Sequence, residues 1–175
     1  LDSSIELETK ESIQNIIWHE LQNAYRTRKP LAGTLGEMEK TELGNTIAVV
    51  YYKEFRVVIP MEEMMIQLSE GTKHGELVQR QNKVLGRMLG AEIDFVIQGL
   101  DNDSRSIVAS RKNAMQKKRQ IFYGMDSEGN AQIEVGRVVQ ARVIAVAEKT
   151  IRVEVFGVEC SINARDLSWD WIGDA

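Results

Sequence analysis

Apolar residues recur along this chain in two periods, and the switches between them divide it. Ile13, Ile16, Ile17, Leu21, Ala24 and Tyr25 share one stripe at helical spacing, with Gln14, Asn15, Gln22 and Asn23 mostly between them. Pro30 stops that run, and Arg26, Arg28 and Lys29 suit the negative end of the helix dipole. From Leu31 the period shortens to two. Strands are predicted from Leu31 to Gly36, Thr46 to Tyr52, Phe55 to Ile59, Ala91 to Gln98 and Ser106 to Ala109, with turn residues at Gly44-Asn45 and from Asp101 to Ser104. Between the third and fourth, Leu77, Val78, Gln81, Leu85, Met88 and Leu89 return to helical spacing, and Gly90 stands where such a helix would stop. Alternation resumes over Val138 to Val146 and Thr150 to Val155, where Arg142, Arg152 and Glu154 are the polar members. Glu148-Lys149-Thr150 has hairpin length, and Phe156-Gly157-Val158-Glu159 reads as the next turn.

Short strands with no long helix among them predict small antiparallel barrels, and the OB-type barrel is the version that commonly holds oligonucleotides. The expected fold class is mainly β: two tandem OB-like five-stranded barrels, the second incomplete. An N-terminal helix occupies 1–29, the first barrel 30–112, a connecting helix and linker 113–134, and the start of the second barrel 135–175. The helix over 77–89 is expected to cover the open end of the first barrel. A weak internal repeat sets Ile59-Pro60-Met61-Glu62-Glu63-Met64 against Ile162-Asn163-Ala164-Arg165-Asp166-Leu167. A five-stranded barrel takes on the order of 50–70 residues, so the last segment holds about three strands. The second barrel is therefore expected to be truncated, with the native chain running past Ala175 or a partner chain completing the sheet.

Charge changes this picture only when divided. The chain is at −4 overall, which argues against a strongly basic nucleic-acid binder. Residues 31–104 carry seven basic and twelve acidic side chains, a net −5, whereas residues 105–175 carry eleven basic and nine acidic, a net +2. Any phosphate ligand is thus directed to the C-terminal half, with modest affinity. A hydrophobic share of 43% and a charged share of 27% are ordinary for a globular domain. No apolar run approaches the roughly 20 residues that cross a bilayer. Cys160 is the only cysteine, so no disulfide forms within the chain, which fits a reducing, cytoplasmic setting.

Catalytic signals fail their tests, and neither an enzyme activity nor a cofactor is expected. His19-Glu20-Leu21-Gln22-Asn23 lacks the second histidine of a helical zinc motif, and His74 stands alone. Glu70-Gly71-Thr72-Lys73 has neither the spacing nor the order of a phosphate loop. Asp101-Asn102-Asp103 lacks the glycine and distant glutamate of a calcium loop and reads as a turn. Cys160 is expected in the core, and Trp169 and Trp171 against the barrel or at an interface.

Two steps carry a family resemblance: Ser110-Arg111-Lys112 leading into a helix, and Asp166-Leu167-Ser168-Trp169 after a third strand. With Val135-Gly136-Arg137-Val138-Val139 between them, the stretch resembles the tandem S-one RNA-binding domains of bacterial ribosomal protein S-one. The likeness covers roughly residues 14–172. It implies single-stranded, mRNA-like RNA as the partner, a role in translation with the ribosome nearby, and neither a membrane nor a small-molecule substrate. Family members that bind RNA carry aromatics on strand two and a histidine at the end of strand three. Here Lys149 and Arg152 hold the strand-two places and Asn163 the histidine place, and in the first barrel these fall near Thr46 and Pro60. Arg142, Lys149, Arg152, Asn163 and Arg165 are therefore the expected RNA-binding residues, acting mainly through phosphates. Two alternatives remain: a protein-docking module using the acidic first barrel and the N-terminal helix, and the RNA-binding appendage of a nuclease.

Overall fold

The computed structural model describes residues 2–68 and 73–168, and the side chains of 9–68, 73 and 75–168. Within them lie three α-helices and eight strands in two sheets. No described helix is long and apolar enough to cross a membrane.

Helix α1 (Asp2–Thr27) precedes a closed barrel of β1 (Leu31–Lys40), β2 (Thr46–Tyr52), β3 (Phe55–Pro60), β4 (Glu92–Asp101) and β5 (Ser106–Ser110). Around the barrel the order is β1-β2-β3-β5-β4. All neighbours are antiparallel except β3 and β5, which are parallel. Helix α2 (His74–Met88) lies between β3 and β4 in sequence. Alternation sends Leu35, Ala48, Val50, Val57, Ile59, Ile93, Phe95, Ile97, Ile107 and Ala109 into one core. Leu85 and Met88 of α2 close it, as the helical spacing predicts, and Trp18, Leu21 and Ala24 of α1 add to it. Each large apolar side chain buried here contributes about 1.5–3 kcal/mol before entropy is counted.

Helix α3 (Arg111–Phe122) starts directly at the end of β5 because Ser110 caps it, its hydroxyl accepting from the Asn113 amide at 3.0 Å. The helix ends at Phe122, well short of residue 134, and residues 123–141 contain no strand. The strand predicted from Val138 begins only at Arg142. Gly136 breaks the extended run with φ +91, and Val135 and Val138 are fully exposed. A six-residue β7 ends one residue beyond the partner of Arg142, so it offers no partner to residues before Ala141.

The second sheet has three strands, β6 (Arg142–Ala147), β7 (Thr150–Val155) and β8 (Val158–Asn163), in antiparallel order and not closed. Its pairing repeats that of β1-β2-β3. Leu35↔Val50 corresponds to Val143↔Val153, and the register shift that follows each pair falls at the same place. The tight turn Lys53-Glu54 corresponds to Phe156-Gly157, all four residues having positive φ. The strands end in equivalent 3-10 turns, Met61–Glu63 and Ala164–Asp166, so the sequence repeat at Ile59 and Ile162 is a repeat in space. Cys160 is exposed on the edge strand β8 rather than in a core. Trp169 and Trp171 lie outside the described residues.

Candidate nucleic-acid interface

Residues paired across an antiparallel ladder share a face. One face of the second sheet therefore carries three rows: Arg142-Glu154-Glu159, Ala145-Arg152-Ser161 and Ala147-Thr150-Asn163. These rows meet different surroundings.

The first row is pressed against α3 and β4 by ion pairs. Arg111, fully buried, reaches Glu159 at 2.5 Å and the Met64 carbonyl at 2.9 Å, with Glu154 at 3.9 Å. Lys118 pairs with Glu154 at 2.8 Å and with Asp94. Arg142 pairs with Glu92 and Asp94, both at 3.0 Å. The turn beyond is clamped to α3: Arg119 Nε donates to the Gly157 carbonyl at 2.6 Å, Tyr123 to the Val155 carbonyl at 2.8 Å, and Phe122 stacks on Phe156 at 4.1 Å.

The other two rows open into a cleft. Val84 and Arg87 of α2 face Ala145, Ala147, Thr150, Arg152 and Ser161 across about 90 Å³. The cleft adjoins a second one of about 250 Å³, where Gln67 and Leu68 oppose Arg152, Glu159, Cys160 and Ser161. Lys149 stands exposed in the turn between β6 and β7, and its carbonyl accepts from the Ala164 amide at 2.8 Å. That bond brings the exposed Arg165 to the same end of the sheet, where it approaches Asp166 at 3.8 Å. Asn163 donates to Asp166 at 3.3 Å.

Of the five residues singled out from sequence, Lys149, Asn163 and Arg165 lie at one end of the second sheet, and Arg152, nearer its middle, faces the cleft. Arg142 does neither, because both its terminal nitrogens are engaged by carboxylates of β4. Arg152 is only partly available, with Nη1 held by Glu159 at 3.0 Å. Arg87, Thr150 and Ser161 are additions that sequence reasoning did not reach. Arg87 lies in the last turn of a helix read as core packing, and nothing local in the chain brings it to β7. Of the cations here, Arg152 is paired with Glu159 and Arg165 approaches Asp166, whereas Arg87 and Lys149 have no ion pair among the described residues. Such a site contacts phosphates without strongly attracting them.

The cleft has no aromatic platform. On the first barrel Tyr51 faces outward beside Arg56, and Tyr52 is buried, as alternation requires. Tyr51 donates to Glu37 at 2.6 Å and Arg56 pairs with Glu39, so carboxylates frame that ring and oppose phosphate. The Glu37 bond also raises the Tyr51 pKa, holding the phenol protonated. Thr46 and Pro60, the counterparts of Lys149 and Asn163, offer no charge, and Thr46 is buried. Asp101 accepts from the amides of Asp103 and Ser104, which lowers its pKa and makes the segment a tight turn. Among the described residues no group of acidic, histidine or cysteine side chains could hold a metal ion. No protein-family model matches this chain, and no curated protein does.

Proposed function

We propose that this chain is a non-enzymatic, single-stranded RNA-binding protein of two tandem OB-type units resembling the S-one domains, acting in translation. The second unit supplies three strands to the described structure. Strand order β1-β2-β3-β5-β4 closing on β1, followed by a capped helix and a repeat of the first three strands, supports the tandem reading. The observation that carries the function is the cleft in which Arg87 and Arg152 meet Thr150 and Ser161, with Lys149, Asn163 and Arg165 at the neighbouring end of the sheet. Guanidinium and ammonium groups fit phosphate oxygens, while hydroxyl and amide groups hydrogen-bond to sugars or base edges. With no stacking ring in the cleft, sequence preference is weak.

Arg87 and Lys149 test this reading best, because neither has an ion-pair partner among the described residues. Each lost phosphate contact flattens the log–log salt dependence of single-strand binding by roughly 0.7. The double variant Arg87→Gln/Lys149→Gln is expected to lower that slope by about 1.4 with thermal stability nearly unchanged. An unchanged affinity and slope would remove the cleft as the RNA site.

One observation favours a second reading, docking of a protein partner. Ile13 and Ile16 of α1 are exposed, and a groove of about 490 Å³ lies between Thr9, Lys10, Ile13, Gln14 and Ile17 and the Lys53-Glu54 turn. An amphipathic partner helix fits such a groove. Ile13→Asp distinguishes the readings, since it leaves RNA binding intact.

A further inference from the structure

Two glutamates on the charged face of the second sheet stand directly opposite each other, Glu154 on β7 and Glu159 on β8. Like charges at such a position repel. Their counterparts in the first barrel are Tyr51 and Arg56, so the fold itself does not call for a carboxylate pair there. Cations of α3 offset the repulsion: Lys118 lies 2.8 Å from Glu154, and Arg111 lies 2.5 Å from Glu159.

Glu159 has a further partner on its other side. One of its oxygens accepts from Arg111, and the second accepts from Arg152 Nη1 at 3.0 Å. Arg152 is diagonal to Glu159 across the β7-β8 ladder and on the same face, a separation that long side chains span. Arg111 is fully buried and also donates to the Met64 carbonyl at 2.9 Å, so its guanidinium is fixed from two sides. The Glu159 side chain is 7% exposed, and solvent does not compete for it. Arg152 and Ser161 line both the cleft of about 90 Å³ and that of about 250 Å³, so they stand where the two adjoin. Their counterparts in the first barrel are Val49 and Val58, which can bind no anion.

We propose that Glu159 is a positioning residue for the RNA cleft: anchored from inside by Arg111, it holds the Arg152 guanidinium at the junction of the two clefts for a phosphate oxygen. This role rests on the RNA-binding reading of the cleft. A carboxylate beside a phosphate site ordinarily weakens it by opposing the charge of the ligand. Here the charge of Glu159 is met from inside by Arg111, so Arg152 keeps its own for the ligand. Only one nitrogen of Arg152 is held by Glu159, and a guanidinium has further N–H donors to offer. A cation already held in place loses less freedom on binding than one that moves in solvent.

Affinity for an unstructured oligouridine tests the assignment, in a double-mutant cycle over Arg152→Gln and Glu159→Gln. A glutamine side chain offers one acceptor oxygen to two guanidiniums. Buried Arg111, with no solvent to turn to, takes it, and Arg152 is released. Glu159→Gln is expected to bind roughly three- to tenfold more weakly, the loss of one hydrogen bond held in place. In the Arg152→Gln background the same change has no further effect, because Glu159 acts through Arg152. Tyr123→Phe removes the hydrogen bond from α3 to the Val155 carbonyl without altering charge. It lowers the melting temperature and leaves the affinity unchanged, which separates positioning from stability. In the protein without RNA, nitrogen NMR is expected to resolve the two Nη groups of Arg152 as slowly rotating signals that average in Glu159→Gln. Equal or tighter RNA binding by Glu159→Gln, additive effects in the cycle, or averaged Arg152 signals in the wild type overturn the proposal while the RNA reading stands. A wild-type protein that binds no oligouridine overturns the RNA reading instead, and the Arg152 signals then decide whether Glu159 positions that side chain.

Discussion

Arg111 spends its charge entirely inside the protein, at the point where the closed barrel, α3 and the second sheet meet. Burying a guanidinium costs several kcal/mol unless its partners are fixed around it. Here Glu159, Glu154 and the Met64 carbonyl supply them. Replacing it by methionine leaves two buried carboxylates short of a cation, and a loss of about 3–5 kcal/mol is expected in denaturant unfolding. Adding Glu159→Gln to that variant removes one of those carboxylates and should restore part of the loss, a coupling that a double-mutant cycle measures directly. Gly157 sets a second local condition. It has φ +87, and a Cβ there would strike the Met115 carbonyl oxygen. Gly157→Ala is therefore expected to cost at least about 1–2 kcal/mol and to loosen the turn from α3, read as a lower melting temperature. The Ser-Arg-Lys step gains a physical meaning at this scale: Ser110 caps the helix and Arg111 ties the sheets together.

Among the elements, α1 shows how a helix is fixed on a barrel through one face and a polar seam. Trp18 packs on Phe55 at 5.7 Å, and Glu20 accepts from Lys53 and Tyr52, both at 2.7 Å. The Lys53 bond first, and the Tyr52 bond next, hold the Glu20 pKa below its ordinary 4.5. A lowered carboxyl pKa contributes stability that is complete above the ordinary value and is lost as pH falls through the lowered one. Glu20→Gln should therefore lower the melting temperature slightly at neutral pH, and the gap from wild type should close in acid. A gap that is constant with pH would show that the contribution is steric. The effect is small because both partners of the ion pair are substantially exposed. The helical stripe of α1 was legible in the sequence, but its division was not. Trp18 is buried while Ile13 and Ile16 are exposed, because the barrel reaches only the C-terminal half of the helix. The extension of β6 back to Val138 failed for a related reason: alternation marks residues able to form a strand, and pairing needs a partner of equal length.

For the whole molecule, closure separates the two sheets energetically. The barrel has no free edge, and the second sheet has two among the described residues. Amide hydrogen exchange should find β6 and β8 less protected than β2 and β4. Equal protection would count against an open second sheet.

The strands of the first barrel, α2, the turns at Asp101 and Gly157 and the repeat of the two halves were legible in the sequence, because alternation, helical spacing and turn chemistry are local. The candidate site was legible in part: Lys149, Arg152, Asn163 and Arg165 lie within one hairpin and the turn after it. Three things were decided only by tertiary structure. Arg142 is taken out of service by Glu92 and Asp94, some fifty positions earlier in the chain. Arg87 is brought to the cleft by packing of α2 on β6. The second sheet turns its charged face inward. Each depends on which distant surfaces meet, and the charge and volume of a partner many residues away leave no mark on local periodicity.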